Sequence, residues 1–357
     1  MARRPRRTIG SLDVRAGSIL RAVIDEYVSS ATPVSSSSLV EHYGLGVSSA
    51  TVRNILSDLE AMGLLSHPHT SAGRVPTDAG YRYYVQVLAE EWSLPPVEQR
   101  MIRHQFGQVE FSSEGWFRLA ASTLAANTGT AGLATNAKPQ AARVRRVDIV
   151  SVQDRMALLL VVFREGTMKQ ALQNLPAMAD QDQLNRVAGL LNLLAVDRTA
   201  DEIEAAMSDL PLGGGITDDT DLLVRVGAGL VRTMREFDGS SIDDLFSDGL
   251  LNVMAAPEFD RSEKVRQIFA ALENRAYLGS LVESVAQAGT IQIFIGHENS
   301  PLEMQDVSLV LAPYGLIDRA VGVVGVLGPT RMPYAQAIAS VEFVSSLMNE
   351  LVEHLYA

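Results

Sequence analysis

Arg53 and Asn54 stand side by side in the stretch SSATVRNILSDLEAMGLL, with Ser48, Ser49, Thr51 and Ser57 around them. A guanidinium can grip guanine O6 and N7 with two parallel hydrogen bonds, and a carboxamide can do the same with adenine N6 and N7. Hydroxyls of this size reach phosphate oxygens. On an ordinary solvent face the same set would do nothing, because every surface helix is polar on one side. What separates the two outcomes is the framework that presents these side chains.

That framework is legible on both sides of the stretch. Val52, Ile55, Leu56, Leu59 and Met62 recur at helical spacing and predict a buried stripe opposite Arg53. Ser48 is placed to cap the helix start and Gly63 to end it. Upstream, LDVRAGSILRAVIDEYVSS carries Ile19, Leu20, Val23, Ile24 and Tyr27 at the same period. Ser35 to Ser38 then open a short helix that sends Leu39 and Val40 inward, and Gly44 and Gly46 make a turn. Three short helices with a glycine turn before the third describe a helix-turn-helix. Downstream, LLSHPHTSAGRVPT reads as strand, turn, strand, which adds a wing beside the third helix. His69, Thr70 and Ser71 lie in that wing, and Arg74 is expected at its tip against a phosphate or the minor groove. Thr77 caps the next helix, DAGYRYYVQVLAEEW, whose Tyr81, Tyr84, Val85 and Leu88 form an apolar stripe. The basic opening MARRPRRTIG places Arg3, Arg4, Arg6 and Arg7 on an arm suited to phosphates.

Charge supports this division of labour. The 357 residues carry a net charge of -12, yet residues 1–90 hold 9 Lys+Arg against 8 Asp+Glu. The acidity therefore belongs to the remainder, and any nucleic-acid contact should be confined to the first quarter. The absence of cysteine excludes disulfides, thiolate-bound zinc and thiol catalysis. No apolar run reaches the length of a membrane span, so the sequence reads as a soluble cytoplasmic protein without membrane contact. His67 and His69 lack the converging carboxylates a metal needs, and Gly213 to Gly215 are not followed by the Lys and Ser/Thr of a phosphate loop. His297 and Glu298 are adjacent in a loop, where neighbours rarely face each other. No enzyme chemistry, cofactor or metal is expected.

Beyond residue 90, Pro95-Pro96 forbids a continuous helix and marks a linker. A helix over SEGWFRLAASTLAANTG follows, then three strand candidates, RVDIVSVQ, RMALLLVVF and GTMKQALQNL, separated by hairpin-sized breaks. Three more, TIQIFIG, VSLVLAPYG and AVGVVGVLG, lie far downstream, before a final helix lined by Val341, Val344, Leu347, Met348 and Leu351. Six strands flanked by helices predict an α+β domain with one antiparallel sheet, split by a mostly helical, acidic insert over 197–274. In GPTRMPY, Arg331 is read at a strand-to-helix corner, paired with an internal carboxylate.

SSATVRNILSDLEAMGLL followed by HTSAGRVPTDAGYRYYV, then GLLNVMAAPEFD and GPTRMPY, resemble in order the heat-inducible transcription repressor family, HrcA. The resemblance implies a GAF-like fold for the sheet domain and a role in dimerisation for the insert. The expected organisation is then a winged-helix domain over 1–90, a linker region over 91–110, GAF-like halves over 111–196 and 275–357, and the insert between them. The resemblance further implies repression of chaperone genes through an inverted-repeat operator called CIRCE, bound by a homodimer as double-stranded DNA. It also implies assistance from the chaperonin GroEL and loss of repression on heating. A second reading makes the GAF-like domain an effector site for a small ligand.

Overall fold

The structure, a computed structural model, describes residues 12–68, 73–88, 93–109, 113–137, 141–164, 166–175, 177–209, 218–239, 245–259, 264, 266, 268, 270, 272, 274–316 and 320–356. The chain begins with α1 (Val14–Ser30), α2 (Ser36–Tyr43) and α3 (Ser49–Ala61). Each has a side-chain cap: Asp13 accepts from the Ala16 amide, Ser35 from Ser38 and Ser48 from Thr51. Such caps satisfy amide groups that a helix start leaves without partners. Ile19, Leu20, Val23 and Ile24 of α1 pack with Leu39 of α2 and with Val52, Leu56 and Leu59 of α3. Met62, expected in that stripe, is instead exposed, because α3 ends at Ala61 and Met62 is already its C-cap.

Strands β1 (Leu65–Ser66) and β2 (Val75–Pro76) pair antiparallel, and Arg74 extends the ladder to Val34 through reciprocal backbone bonds of 2.8 and 2.9 Å. Gly73 is required there: a Cβ would sit 2.2 Å from the Val34 carbonyl oxygen. Thr77 ties both ends of the hairpin, accepting from the Gly80 amide and donating to the Gly63 carbonyl at 2.7 Å. Helix α4 (Asp78–Tyr83) follows and widens into a π-helical turn over Tyr84–Leu88.

After α5 (Pro96–Gln108) and α6 (Ser113–Thr128) the main sheet begins. Its order is β7-β3-β10-β9-β8, all antiparallel, from β3 (Ala131–Thr135), β7 (Leu245–Asp248), β8 (Gln292–Ile295), β9 (Val307–Leu316) and β10 (Ala320–Pro329). Successive side chains on β9 alternate between two cores, as a pleated strand requires. Val310 and Ala312 face α6 and α12 (Tyr334–Tyr356), while Leu309 and Leu311 face the other layer, which contains α10 (Leu250–Met254) and α11 (Arg275–Ala288). The first of these cores is continuous with the core of the N-terminal helices through Tyr81, Ile102, Phe106 and Trp116.

The six strands expected in one sheet are divided between two. Strands β4 (Val144–Gln153), β5 (Met156–Phe163) and β6 (Met168–Asn174) form a separate antiparallel sheet. It packs against α7 (Gln181–Ala195), α8 (Ala200–Ser208) and α9 (Asp218–Gly239) around a core of its own. The expected boundary at residue 197 cuts through that core, between Ala195 and Ala200, both buried in it. The physical reason is complementarity of faces. Leu222, Val226, Leu230 and Met234 of α9 need an apolar partner, and Leu159, Val161 and Phe163 supply it. The Phe163 and Phe237 rings stack at 4.5 Å. The unit's two ends meet where the Ala142 amide donates to Asp238 at 2.9 Å.

Candidate nucleic-acid interface

Helix α3 presents one polar face outward because Val52, Leu56 and Leu59 bury the opposite one. Ser48, Ser49, Arg53, Asn54 and Ser57 are exposed on it and Thr51 is half-buried. Two hydroxyls are partly committed to the helix: Ser48 to the Thr51 amide and hydroxyl, and Ser57, which donates to the Arg53 carbonyl at 3.1 Å. The side chains of Arg53 and Asn54 have no hydrogen-bond or ion-pair partner among the described residues. Of the described arginines in this module, Arg21, Arg74 and Arg82 are paired with Asp25, Glu60 and Glu298. Arg53 and Arg15 are the ones left available, again among the described residues, and both are exposed. Arg15 carried no signal in the sequence beyond its place at the start of α1.

Arg74 is a correction. It was expected at an exposed tip; its side chain is only 16% exposed and pairs with Glu60 at 2.9 Å. Glu60 also takes the Nδ1 of His67. The backbone bridge to Val34 turns Arg74 back over the end of α3, where that carboxylate waits. His69, Thr70 and Ser71 of the wing, and Arg3, Arg4, Arg6 and Arg7 of the arm, lie outside the described residues.

The other singled-out residues hold the molecule together. Arg331 donates to Glu258, an internal carboxylate as expected, and also to the Val28 carbonyl at the end of α1. His297 and Glu298 do not face each other; they reach Asp78 and Arg82 of α4. Sequence reasoning missed these pairs, because a separation of 219 or 216 residues leaves no local pattern. Burial pushes the phenols of Tyr81 and Tyr334 at this junction up, so both stay neutral, and the Tyr334 hydroxyl donates to the Thr330 carbonyl. Burial also raises the carboxyl of Asp25, against the opposing pull of Arg21 and a hydrogen bond from Tyr84. Among the described residues no group of three or more His, Asp and Glu side chains is arranged to hold a metal. Nor is any helix among them long and apolar enough to cross a membrane.

Comparison with known proteins bears on this arrangement. Residues 114–338 match the family model for the HrcA protein C-terminal domain. A heat-inducible transcription repressor HrcA of Chloroflexus aggregans is 39% identical, the match covering 97% of this chain and 94% of the relative. That of Roseiflexus castenholzii is 39% identical over 95% and 94% of the two chains. That of Thermomicrobium roseum is 38% identical over 96% of each. Among solved structures, a protein described only as hypothetical superposes with a TM-score of 0.61 at 21% identity, covering 97% of this chain and all of that one. This last likeness concerns the fold alone.

Proposed function

The chain belongs to the HrcA family of heat-inducible transcription repressors, and on that premise we propose that it represses by reading an inverted-repeat DNA operator as a homodimer. The reading element is a winged helix-turn-helix made of α1, α2, α3 and the β1–β2 hairpin, with α3 in the major groove. The observation that carries this is the pair Arg53 and Asn54: exposed, without a partner among the described residues, on a helix anchored by its opposite face. Exposed surface arginines usually find a carboxylate nearby in an acidic protein; one that stands apart beside hydroxyls suits a polyanion. Ser48, Ser49, Thr51 and Ser57 support the backbone register. His69, Thr70 and Ser71 of the wing and Arg3, Arg4, Arg6 and Arg7 of the arm add phosphate contacts. Arg74, held by Glu60, is read as setting the wing, and a phosphate contact from it requires Glu60 to let go.

One such module reads only a few base pairs, so discrimination against a genome calls for two half-sites and a two-fold dimer. The outer face of the β4–β6 sheet suits that role. Val150, Leu158 and Leu172 form one cross-strand row, and Val162 and Met168 part of another, on the side away from α7 and α9. Residues 142–237 are then the inserted dimerisation unit, and α6, β3 and the stretch from β7 to α12 the GAF-like domain. As the family resemblance implies, the operator is CIRCE and the chaperonin GroEL keeps the repressor folded in the cytoplasm until heat diverts it. Loss of the folded dimer then lowers operator affinity by mass action.

The test is a gel shift at one fixed salt concentration on an inverted-repeat duplex, a single half-site and a scrambled duplex, with and without GroEL. The inverted repeat should bind tightest by at least about a thousandfold over scrambled DNA, with more active protein when GroEL is present. Equal binding to all three duplexes overturns the reading.

A further inference from the structure

The reading module meets the main sheet through directional contacts that the DNA-facing side of α3 does not use. Asp78, the first residue of α4, accepts from the His297 backbone amide at 2.9 Å and pairs with His297 Nδ1 at 2.7 Å. One turn later Arg82 grips both carboxylate oxygens of Glu298, its Nε at 2.9 Å, and gives Nη2 to the Ile293 carbonyl at 2.6 Å. At the end of α1, the Val28 carbonyl accepts from Arg331 Nη1 at 3.0 Å, while Arg331 Nε holds Glu258 at 2.5 Å. Between them the Tyr81 and Tyr334 rings lie 5.5 Å apart. Gly296 shows that the approach is built in: its φ is +49° and a Cβ would fall 2.4 Å from the Asp78 carboxylate.

Part-exposed ion pairs of this kind add little stability one by one. Their consequence is orientation. The shared apolar core holds the module against the sheet through non-directional contact, whereas the ion pairs and backbone bonds are directional, and the two-pronged Arg82–Glu298 pair adds angular definition of its own. We propose that Asp78, Arg82 and Arg331, with the turn from Gly296 to Glu298, form a positioning clamp that sets the angle at which each subunit presents α3. The clamp thereby fixes the half-site spacing the dimer accepts. This inference rests on the dimeric DNA-reading function proposed above. A rigid pair of modules gains from its second half-site only when the spacing matches, whereas a loosely joined pair gains at many spacings.

The cysteine-free chain allows a direct test. Nitroxide labels at Asp58→Cys on α3 and Glu342→Cys on α12, both exposed positions, report the module's orientation by pulsed dipolar spectroscopy. The distance distribution should be narrow in the parent, broad in Arg82→Glu and in Glu298→Arg, and narrow again when both substitutions restore the pair reversed. The unlabelled proteins are then compared on inverted repeats of cognate spacing and of spacing lengthened by half a helical turn. The parent should lose at least about tenfold on the lengthened duplex. Arg82→Glu should lose under about threefold, and the reversed pair should recover the parent's preference, with single half-site binding equal in all. Should Arg82→Glu fail to fold, His297→Ala, whose ring is 75% exposed, carries the same readouts. Equal distance widths in all variants overturn the clamp whether or not DNA binds. Unchanged spacing preference in Arg82→Glu overturns its role in operator choice. A parent protein that ignores every duplex sinks the proposed function instead, and the distance widths still decide the clamp.

Discussion

Leu59 and Leu159 are both fully buried, but they belong to different cores. Leu59 sits in a cluster that runs without a break from the N-terminal helices through α5 and α6 to the last turns of α12. Leu159 sits in a cluster confined to β4–β6 and α7–α9, a unit whose entry and exit are tied together at Ala142 and Asp238. The module that carries the candidate DNA contacts is thus fused to the main sheet, and the other unit is hung from it. The proposed DNA-reading role calls for a defined angle, which fusion suits. The proposed dimer surface needs only its own integrity and a face left uncovered.

The sharpest way to break this contrast is to open a cavity on each side. Leu159→Ala and Leu59→Ala should each cost about 2–5 kcal/mol. Hydrogen exchange should then quicken in β4–β6 and α7–α9 alone for the first, and in α1–α3 together with α12 for the second. Quickening throughout the molecule for both would erase the distinction. The next largest effect is expected on the uncovered sheet face. Leu172 is 61% exposed, so Leu172→Asp should leave the melting temperature of the subunit near its parent value while weakening self-association by about 2 kcal/mol or more, read by sedimentation equilibrium.

Much of the first region was legible because its signals are local. Ser48, Gly63 and Thr77 cap and end elements within a few residues of themselves, and the 3.6 period of α1 and α3 needs no distant partner. The second region was misassigned for the opposite reason. Its strands look like any antiparallel strands, and which helices cover them is set by long-range contacts such as that of Phe163 with Phe237. Strand β3, Ala-Gly-Leu-Ala-Thr, was missed because it is short, has no aromatic residue and has a β-branched one only at its last position. Arg74 was read as outward because a turn residue beside glycine usually is; the acceptor that turns it inward, Glu60, lies on the preceding helix. The candidate site itself, Arg53 and Asn54 on a capped amphipathic helix, was legible in full as a surface, though not as a contact.

Smaller effects sharpen the account of the module. Glu60→Gln removes one carboxylate from beside Arg74 and should alter stability by less than about 1 kcal/mol. If the freed guanidinium then meets a phosphate, the slope of log affinity against log salt should steepen by about one unit. An unchanged slope confines Arg74 to the hairpin. The smallest effect is expected at Asp25, whose folded-state pKa burial raises above its unfolded value. Its ionised form therefore detracts from stability at neutral pH, and that loss disappears on acidification. Asp25→Asn should melt slightly above the parent at pH 7, with the difference shrinking as pH falls through the raised folded-state pKa and gone below the unfolded carboxylate value of about 3.9.

The central claim is that the outward face of α3 reads bases. Its most direct test is an equilibrium titration of the parent and of Arg53→Ala against cognate inverted-repeat and scrambled duplexes at one salt concentration. The account predicts a loss of about 1–3 kcal/mol on the cognate duplex with little change on the scrambled one. Equal losses on both would reduce Arg53 to a phosphate contact, and no loss on either would contradict the claim.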